Sequence, residues 1–512
     1  MTWSADFVAA LGAPSITPIY ILEVLNVPLG VGAPTFIYSD RGQLQIGQGG
    51  VRIVGTSVIP HRWSVSFGGF ELDLVGDIRP YRESLIRGAL CVLRVSLLGL
   101  TDERIAIGQI NQITGLRGRY RVSFKDYLSA SQSRFDTRYQ GGQGLSRWFY
   151  DTTTFTTVTH NWSVGATSLE VDQTDDFTKQ SLIRGLLYCI PTHSGDPFYM
   201  HWVSKNDTTD IFTVSGVANH PSTVSASDLK VGDKVYNAAR ILGAPHTLFA
   251  KLVTSTGNGT NGPDDNLPAS YGNGAPLHYS FFDRADASET NQYIQPSSGT
   301  FYQLDMAFRE PLEGGMRSIM DLFANVGQWP VMRQGSFSWR GCSDPTGNFG
   351  KKPPTSAHIF DDDIMSFVGV QFFDSTLNAV FFQSSLFNNA GNTTKSTVTN
   401  AFSDYLPVAV EVERSFGDFY DPNGSTSSMA TGDINRMKIW DFYHWTKVTI
   451  QVRLRFAILC AGDVVQLTSA FIQDISTQVG DTYNGRFGMV LEVGYNISDR
   501  VCTLVIGFPP EV

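Results

Sequence analysis

The chain has 512 residues, 42% of them hydrophobic and 12% aromatic, which is too long for a single core and too apolar for general disorder. Only 17% are charged, and this balance favours strands, turns and large interfaces over helical bundles. Residues 1–140 hold 14 Lys and Arg against 11 Asp and Glu, whereas the remainder holds 24 against 37, giving a net charge of −10. The acidic majority argues against broad binding to nucleic-acid phosphates.

The first part of the chain, residues 16–128, is predicted to be all-β. It contains five or six β-branched or aromatic runs of strand length, separated by Gly, Asp and Pro clusters. Apolar and polar residues alternate in WSVSFGGFELDLV, as in a half-buried strand. This number of strands in about 110 residues suggests a barrel or a sandwich.

A basic run, LRGRYRVSFK, lies at the end of this part. Arg117, Arg119, Arg121 and Lys125 alternate along a predicted strand. Alternation places these side chains on one face, so we interpret them as a solvated or subunit-interface face rather than a nucleic-acid footprint.

Polar, glycine-bearing residues 132–147 then mark a boundary. Residues 150–237 carry their own set of predicted strands and frequent turn signals, such as SGDP and VGD. They indicate a small inserted β module.

From residue 245 onward the sequence predicts helices as well as strands. PHTLFAKLVTSTG predicts a helix that ends at Gly257, and SETNQYI predicts a further helical turn. Residues 301–311 predict a strand. LEGGMRSIMDLFANVG then places apolar residues at helical spacing and predicts a helix closed by Gly327.

The stretch GQWPVMRQGSFSWRG predicts a hairpin with Gln334-Gly335 as its two-residue turn. Trp329, Arg333, Trp339 and Arg340 flank this turn. With the helix before it, the hairpin is interpreted as one packed α–β unit, its Trp and Arg side chains serving core and subunit contacts rather than catalysis.

Strand patterns resume to about residue 387, and after a polar spacer they continue to the C-terminus. The predicted fold is therefore mainly β with some α+β. It comprises tube-like β-barrel domains, an inserted β module and a helix-plus-hairpin middle domain. The predicted domains are 1–145, 146–240, 241–400 and 401–512.

Candidate chemical sites are few and weak. The sequence lacks GxSxG, HExxH, P-loop and strand-to-helix GxGxxG motifs, so we expect no enzymatic activity and no cofactor. Cys189, His193 and His201 come nearest to a metal set but lack a fourth ligand. The five cysteines are scattered without a CxxC pair, and four lie in apolar runs typical of small buried side chains in a reducing cytoplasm.

Three acidic groups are further candidates. Asp361–Asp363 and Asp264–Asp265 lack the spacing of a calcium loop and are interpreted as turn chemistry. Glu310 and Glu313 flank Pro311, and a helix N-terminus explains them better than a glycosidase pair does. The N-terminus has no basic segment typical of a signal peptide, and no apolar run approaches a membrane span, so we expect no stable membrane insertion.

Several segments together resemble the hub proteins of bacteriophage tails, which form the tail tip or the centre of the baseplate. They are LFAKLVTSTGNGTNGPDDNLPASYG, LFANVGQWPVMRQGSFSWRG, the DDDI segment and CAGDVVQLTS, in the same order as in that family. The N-terminal β domain is compatible with the tube-like domain of such hubs. VGATSLEV and VGDKVYNA resemble small β modules inserted into phage tail proteins.

The resemblance implies a structural protein at the distal end of the tail, made in the host cytoplasm. It implies a homotrimer in which two tube-like β domains per chain form a pseudo-sixfold ring that continues the tail channel. The implied partners are a distal tail protein, the tape-measure protein and tail fibre or spike proteins. DNA would pass through the channel without specific binding, as an acidic surface favours.

Two other functions stay open at this stage. The aromatic β module at 146–240 suits a receptor- or glycan-binding adhesin, because aromatic side chains stack on sugars. A cell-wall-degrading enzyme is the third reading, although no lysozyme-type or peptidase domain is recognisable.

Overall fold

The chain is described by a computed structural model. The described residues are 3–25, 36–39, 45–46, 51–59, 64–79, 83, 85, 87–97, 99–116, 118–127, 139–141, 149–177, 185–193, 195–218, 226–239, 241–256, 260–265, 277–294, 304–306, 320, 323–324, 327–343, 345, 353–371, 380–387, 393–398, 410–420, 446–473 and 482–508.

The N-terminal β unit follows a short helix. Ser4 accepts a hydrogen bond from the Phe7 amide and caps this helix, which buries Phe7 and Leu11. The elements are α1 Ala5–Leu11, β1 Pro18–Val24, β2 Phe36–Ser39, β3 Gln45–Ile46, β4 Arg52–Ile59, β5 Ser64–Phe67, β6 Phe70–Val75, β7 Leu90–Leu97, β8 Glu103–Leu116 and β9 Arg119–Asp126. Burial alternates along β6, as period-2 patterning requires.

The C-terminal β unit contains six strands in the order β22-β26-β29-β28-β27-β21. These are β21 Ala357–Phe360, β22 Ile364–Gln371, β26 Thr446–Arg453, β27 Val464–Thr468, β28 Arg486–Asn496 and β29 Val501–Phe508. The 3-10 turn Asp361–Asp363 joins β21 to β22, and a second 3-10 segment, Leu454–Ile458, follows β26. The prediction that the Asp triplet serves a turn is confirmed.

One sheet crosses from the N-terminal unit into the C-terminal unit. β4 pairs with β28, with Ile53 opposite Tyr495 and Ser57 opposite Glu492. Buried side chains of both units belong to one apolar core. The predicted barrels are therefore not closed among the described strands, because β4 pairs with the C-terminal unit. The mainly β class itself is confirmed.

The module strands form a separate seven-stranded sheet in the order β10-β11-β16-β13-β14-β15-β12. They are β10 Tyr139–Gly141, β11 Phe149–Thr157, β12 Ser168–Glu170, β13 Gly185–Ile190, β14 Phe198–Asn206, β15 Ile211–Ala218 and β16 Lys234–Ala239. This sheet has two apolar clusters of its own. The domain boundaries stay a prediction.

The middle part combines helices with two small sheets. Its elements are β17 Ile241–Gly243, α2 Pro245–Thr254, the 3-10 turn Tyr279–Phe281, α3 Arg284–Ile294, β18 Leu304–Met306, β19 Gln328–Arg333, β20 Ser336–Gly341, β23 Val380–Phe387, β24 Thr393–Val398 and β25 Val410–Tyr420. β17, β18, β25, β23 and β24 form a five-stranded sheet, and β19 pairs with β20. No helix in the described part is long and apolar enough to cross a membrane.

One predicted helix end is wrong and another is confirmed. α2 ends at Thr254 rather than at Gly257, because Ser255 is already extended and the Asn261 side-chain amide donates to the Thr254 carbonyl at 2.7 Å. Gly327 has φ of +70° and its amide donates to the carbonyl of Ala324, as expected of a glycine that closes a helix. Residues 307–319 of the segment before it lie outside the described residues.

Candidate assembly joint at the buried hairpin

The hairpin β19–β20 turns through two residues with left-handed backbones. Gln334 has φ of +47° and Gly335 of +69°, and Arg333 pairs with Ser336 across the turn. Two consecutive positive φ values match the right-handed twist of the strands. A side chain at Gly335 would lie 2.1 Å from the Arg104 carbonyl oxygen, so the turn needs glycine for close approach as well. The predicted turn is confirmed.

Both faces of the hairpin are covered. Trp329 and Trp339 are fully buried, and Trp339 packs edge-on against Phe323 at 5.1 Å and obliquely against Phe249 at 5.6 Å. Each indole N–H has an acceptor: Trp339 donates to the Gln328 side chain at 2.9 Å and Trp329 to the Ala461 carbonyl at 3.4 Å. Buried tryptophans with satisfied donors are core residues.

Arg340 is the charged centre of this joint and is almost fully buried. Its Nε donates to Asp463 at 2.8 Å and its Nη1 to Asp286 at 2.7 Å, so one guanidinium bridges α3 to the turn before β27. Asp286 also accepts from Arg333 and from the Ser338 hydroxyl. Asp463 accepts in addition from the Cys460 amide at 2.9 Å.

Asp286 and Arg340 favour the ionised form of each other. Burial by itself raises the pKa of Asp286, but the charges of Arg340 and Arg333 overcome that effect and lower it below 3.8. Burial lowers the pKa of Arg340, and nearby acidic groups, Asp463 and Asp286 among them, raise it well above its usual value. Ions that are buried, paired and hydrogen-bonded in this way fix a geometry rather than supply a reactive group.

The N-terminal unit joins the same hairpin through Arg104 at the start of β8. Its Nε donates to the Gly335 carbonyl at 2.5 Å, and its Nη2 donates to the Ser336 hydroxyl at 2.8 Å. The backbone amide of Trp3 donates to the side-chain oxygen of Gln334 at 3.0 Å, and its indole N–H donates to the Arg104 carbonyl at 2.8 Å. Burial lowers the pKa of Arg104 to about 10, so it stays charged at neutral pH.

The hairpin thus contacts segments distant in sequence: the N-terminus, β8, α3 and the turn before β27. A cleft of about 180 Å³ lies beside it, lined in part by Asp286, Glu289, Arg340 and Asp463. Asp286 and Asp463 are both paired with Arg340, so these two carboxylates serve ion pairs within the joint rather than acid–base chemistry. The arrangement suits a rigid joint.

The predicted interface residues lie in two different environments. Trp329, Trp339 and Arg340 make their contacts within the chain, and Arg333 is partly buried against Asp286. Arg119 and Arg121 are exposed on β9, where Arg121 pairs with Asp73 at 3.0 Å. Arg117 lies outside the described residues. Their role between subunits stays a prediction.

Three partners of the joint were missed from the sequence: Arg104, Asp286 and Asp463. Asp463 lies in the apolar segment CAGDVVQLTS. A carboxylate among apolar residues was a signal that it needs a partner. Nothing in the local pattern around Arg104 or Asp286 indicates a partner at positions 335 or 340.

The weaker candidate sites have structural explanations. Asp264 pairs with Arg284 at 2.7 Å, and Asp265 accepts from the amides of Thr256 and Asn261. Within the described ranges, no group of three or more His, Cys, Asp or Glu is placed to hold a metal ion. Glu310 and Glu313 lie outside those ranges.

All five cysteines are buried. Burial raises the thiol pKa of four of them, which keeps those thiols protonated: Cys91, Cys189, Cys460 and Cys502. The prediction that these four are small buried side chains is confirmed.

No protein-family model matches the chain, and no curated protein matches it. Among solved structures it is similar to the 43 kDa tail protein of prophage MuSo2 from Shewanella oneidensis, with 10% identity, a TM-score of 0.35, and coverage of 96% of this chain and 98% of that one. It is also similar to the prophage tail protein gp18 from Listeria monocytogenes EGD-e, with 8% identity, a TM-score of 0.38, and coverage of 96% and 95%.

A third similarity is to a chain in the virion of a native gene transfer agent particle. The identity is 11% and the TM-score 0.29, with coverage of 67% of this chain and 78% of that one. TM-scores of this size do not establish a common fold.

Proposed function

We propose that this protein is a structural hub of a bacteriophage tail tip, without enzymatic activity, and that three copies form a ring that continues the tail channel. The sequence resemblance supplies the hypothesis. In this proposal the ring joins a distal tail protein and the tape-measure protein to the fibre or spike proteins, at the distal end of the tail.

The observation that carries the proposal is that one chain holds two β units joined edge to edge. The N-terminal unit contributes β4 and the C-terminal unit β28 to one continuous sheet, and the buried hairpin is fastened to both. Two linked β units per chain are what a threefold ring with pseudo-sixfold symmetry requires, since three chains then supply six similar units.

The geometry of the joint supports a passive rather than a catalytic role. Its arginines and aspartates are committed to one another, and its tryptophans are buried. A rigid connection between the two units fixes their angle, and a fixed angle is what lets identical chains close a ring instead of growing into a filament.

Electron microscopy and sedimentation of the purified protein test this proposal. We expect particles with three times the chain mass of 56.3 kDa and a central opening with near-sixfold appearance. A protein that stays monomeric at all concentrations, or labelled antibodies that bind virions away from the tail tip, would refute it.

A further inference from the structure

The C-terminal unit presents several large apolar side chains that the described part of the chain leaves exposed. β22 has exposed residues on both of its faces, whereas the neighbouring β26 alternates between buried and partly buried positions. Phe360 precedes the turn into β22, and the Asp361 carboxylate at that turn accepts from the Ala470 amide at 2.9 Å. The loop that carries Phe471 is therefore tied to the same turn.

We use the name β22 patch for five exposed apolar side chains that lie on β22, at the turn before it and in the loop tied to that turn. Their exposed fractions are Phe360 50%, Met365 54%, Phe367 51%, Val368 57% and Phe471 87%. If a full side chain of this size presents about 200 Å², the exposed parts of these five side chains add up to roughly 600 Å² of apolar surface. That is near the upper end of what monomeric proteins expose, and more than half of the about 800 Å² that each partner gives to a standard interface.

The strand beneath the patch is also an edge. In the order β4-β28-β29-β26-β22 the strand β22 stands last, and β26 is its only partner among the described strands. Its register with β26 shifts twice, between Ile364 and Ser366 and between Phe367 and Gly369. An edge strand with exposed apolar residues invites pairing with another strand, and proteins normally cover or charge such an edge.

The position of this edge indicates its partner. The C-terminal sheet has the chain's own N-terminal unit at one side, through β4, and the β22 edge at the other. The two units also differ in charge: residues 1–140 carry 14 basic and 11 acidic side chains, whereas 353–371 and 446–508 carry 5 basic and 8 acidic ones. A second N-terminal unit at β22 would repeat the arrangement within the chain and bring opposite charges together.

We propose that the β22 patch is an interface between copies of this chain and that the N-terminal unit of a second copy covers it. This inference rests on the proposed ring and names the surface through which its copies meet. Aromatic and aliphatic side chains at the centre supply the apolar contact, and Asp361, Asp362 and Arg453 lie at its rim.

The test compares the full-length protein with two double variants. Phe367→Lys/Val368→Lys places charge in the patch, whereas Val164→Lys/Val231→Lys makes the same kind of change at two similarly exposed positions of the module. All four side chains are exposed, so both variants are expected to unfold thermally at the temperature of the wild type. Sedimentation velocity over a range of concentrations measures assembly.

We expect the patch variant to raise the dissociation constant between copies at least about 30-fold, the loss typical of a central contact, while the module variant assembles like the wild type. Hydrogen exchange gives a second readout without mutation: the amides of residues 364–371 should exchange more slowly in the assembled wild type than after dilution to monomers.

The outcomes separate the two proposals. If the wild type assembles, and the patch variant does so equally well with unchanged exchange at 364–371, the interface inference is overturned while the ring stands. If the wild type never assembles, the ring itself is wrong, and the inference falls with it.

Discussion

Replacing Arg340 with methionine should weaken the joint severely, because the buried carboxylate of Asp463 and the partly buried carboxylate of Asp286 depend on this guanidinium. The substitution keeps an unbranched side chain but removes the arginine that pairs with Asp463 and one of the arginines that pair with Asp286. Removing one partner from a buried ion pair typically costs about 3–5 kcal/mol, because the remaining charge is stranded away from water. We expect a loss of that size in the free energy of unfolding.

Urea unfolding at neutral pH, followed by tryptophan fluorescence, measures this loss, since Trp329 and Trp339 lie within the joint. Asp463→Asn and the double variant complete a cycle, and we expect a coupling of about 1–3 kcal/mol because the two groups are in direct contact. Arg121→Met is the matched control: it removes an exposed arginine paired with Asp73 and should leave the unfolding free energy unchanged. Equal stability of Arg340→Met and the wild type, or strictly additive losses, would refute a buried electrostatic joint.

Three further predictions concern the turn, the thiols and a partly buried histidine. Gly335→Ala should destabilise the protein more than Gly165→Ala in thermal unfolding. Both glycines have positive φ, but of the two only Gly335 would place an added Cβ 2.1 Å from a backbone atom. Equal losses would contradict the close approach. Ellman's reagent should label no cysteine in the native protein and all five in denaturant, and rapid native labelling would contradict their burial. Burial lowers the pKa of His246 from 6.5 to about 4, so the unfolded chain takes up the proton first as the pH falls. The free energy of unfolding should therefore fall by about 3 kcal/mol between those pH values. His246→Phe should flatten this dependence in unfolding measured from pH 7 to pH 4, and an unchanged slope would assign the dependence to other groups.

The sequence predicted features whose causes lie within a few residues. The turn at Gln334-Gly335 follows from the need for positive φ, and the helix end at Gly327 follows from the same freedom of glycine. The strand Val464–Thr468 follows from its apolar β-branched run. The predicted end of α2 was wrong because the side chain of Asn261, in the loop after the helix, donates to the Thr254 carbonyl, and the helix ends there before Gly257 is reached.

What the sequence did not predict is which strand lies beside which. The composition of β4 and β28 indicates two strands, but it carries no information that Ile53 lies opposite Tyr495. The same holds for Arg340: its pattern suggested an interface, and its partners, Asp286 and Asp463, lie 54 and 123 residues away. Pairings over such separations depend on the whole fold, so local propensity cannot reveal them.

The proposed function depends on these pairings between residues that are distant in sequence. A ring closes only if the two β units of each chain hold one angle, and the described contacts that hold it are the β4–β28 pairing and the hairpin bound to Arg104, Asp286 and Asp463. A buried ion network is a poor source of net stability but imposes a definite geometry, because any other arrangement strands a charge. Loosening it should therefore broaden the distribution of assembled sizes even where single chains remain folded, and Asp463→Asn examined by mass photometry tests this. A sharp trimer peak for that variant, matching the wild type, would show that strand pairing alone fixes the angle.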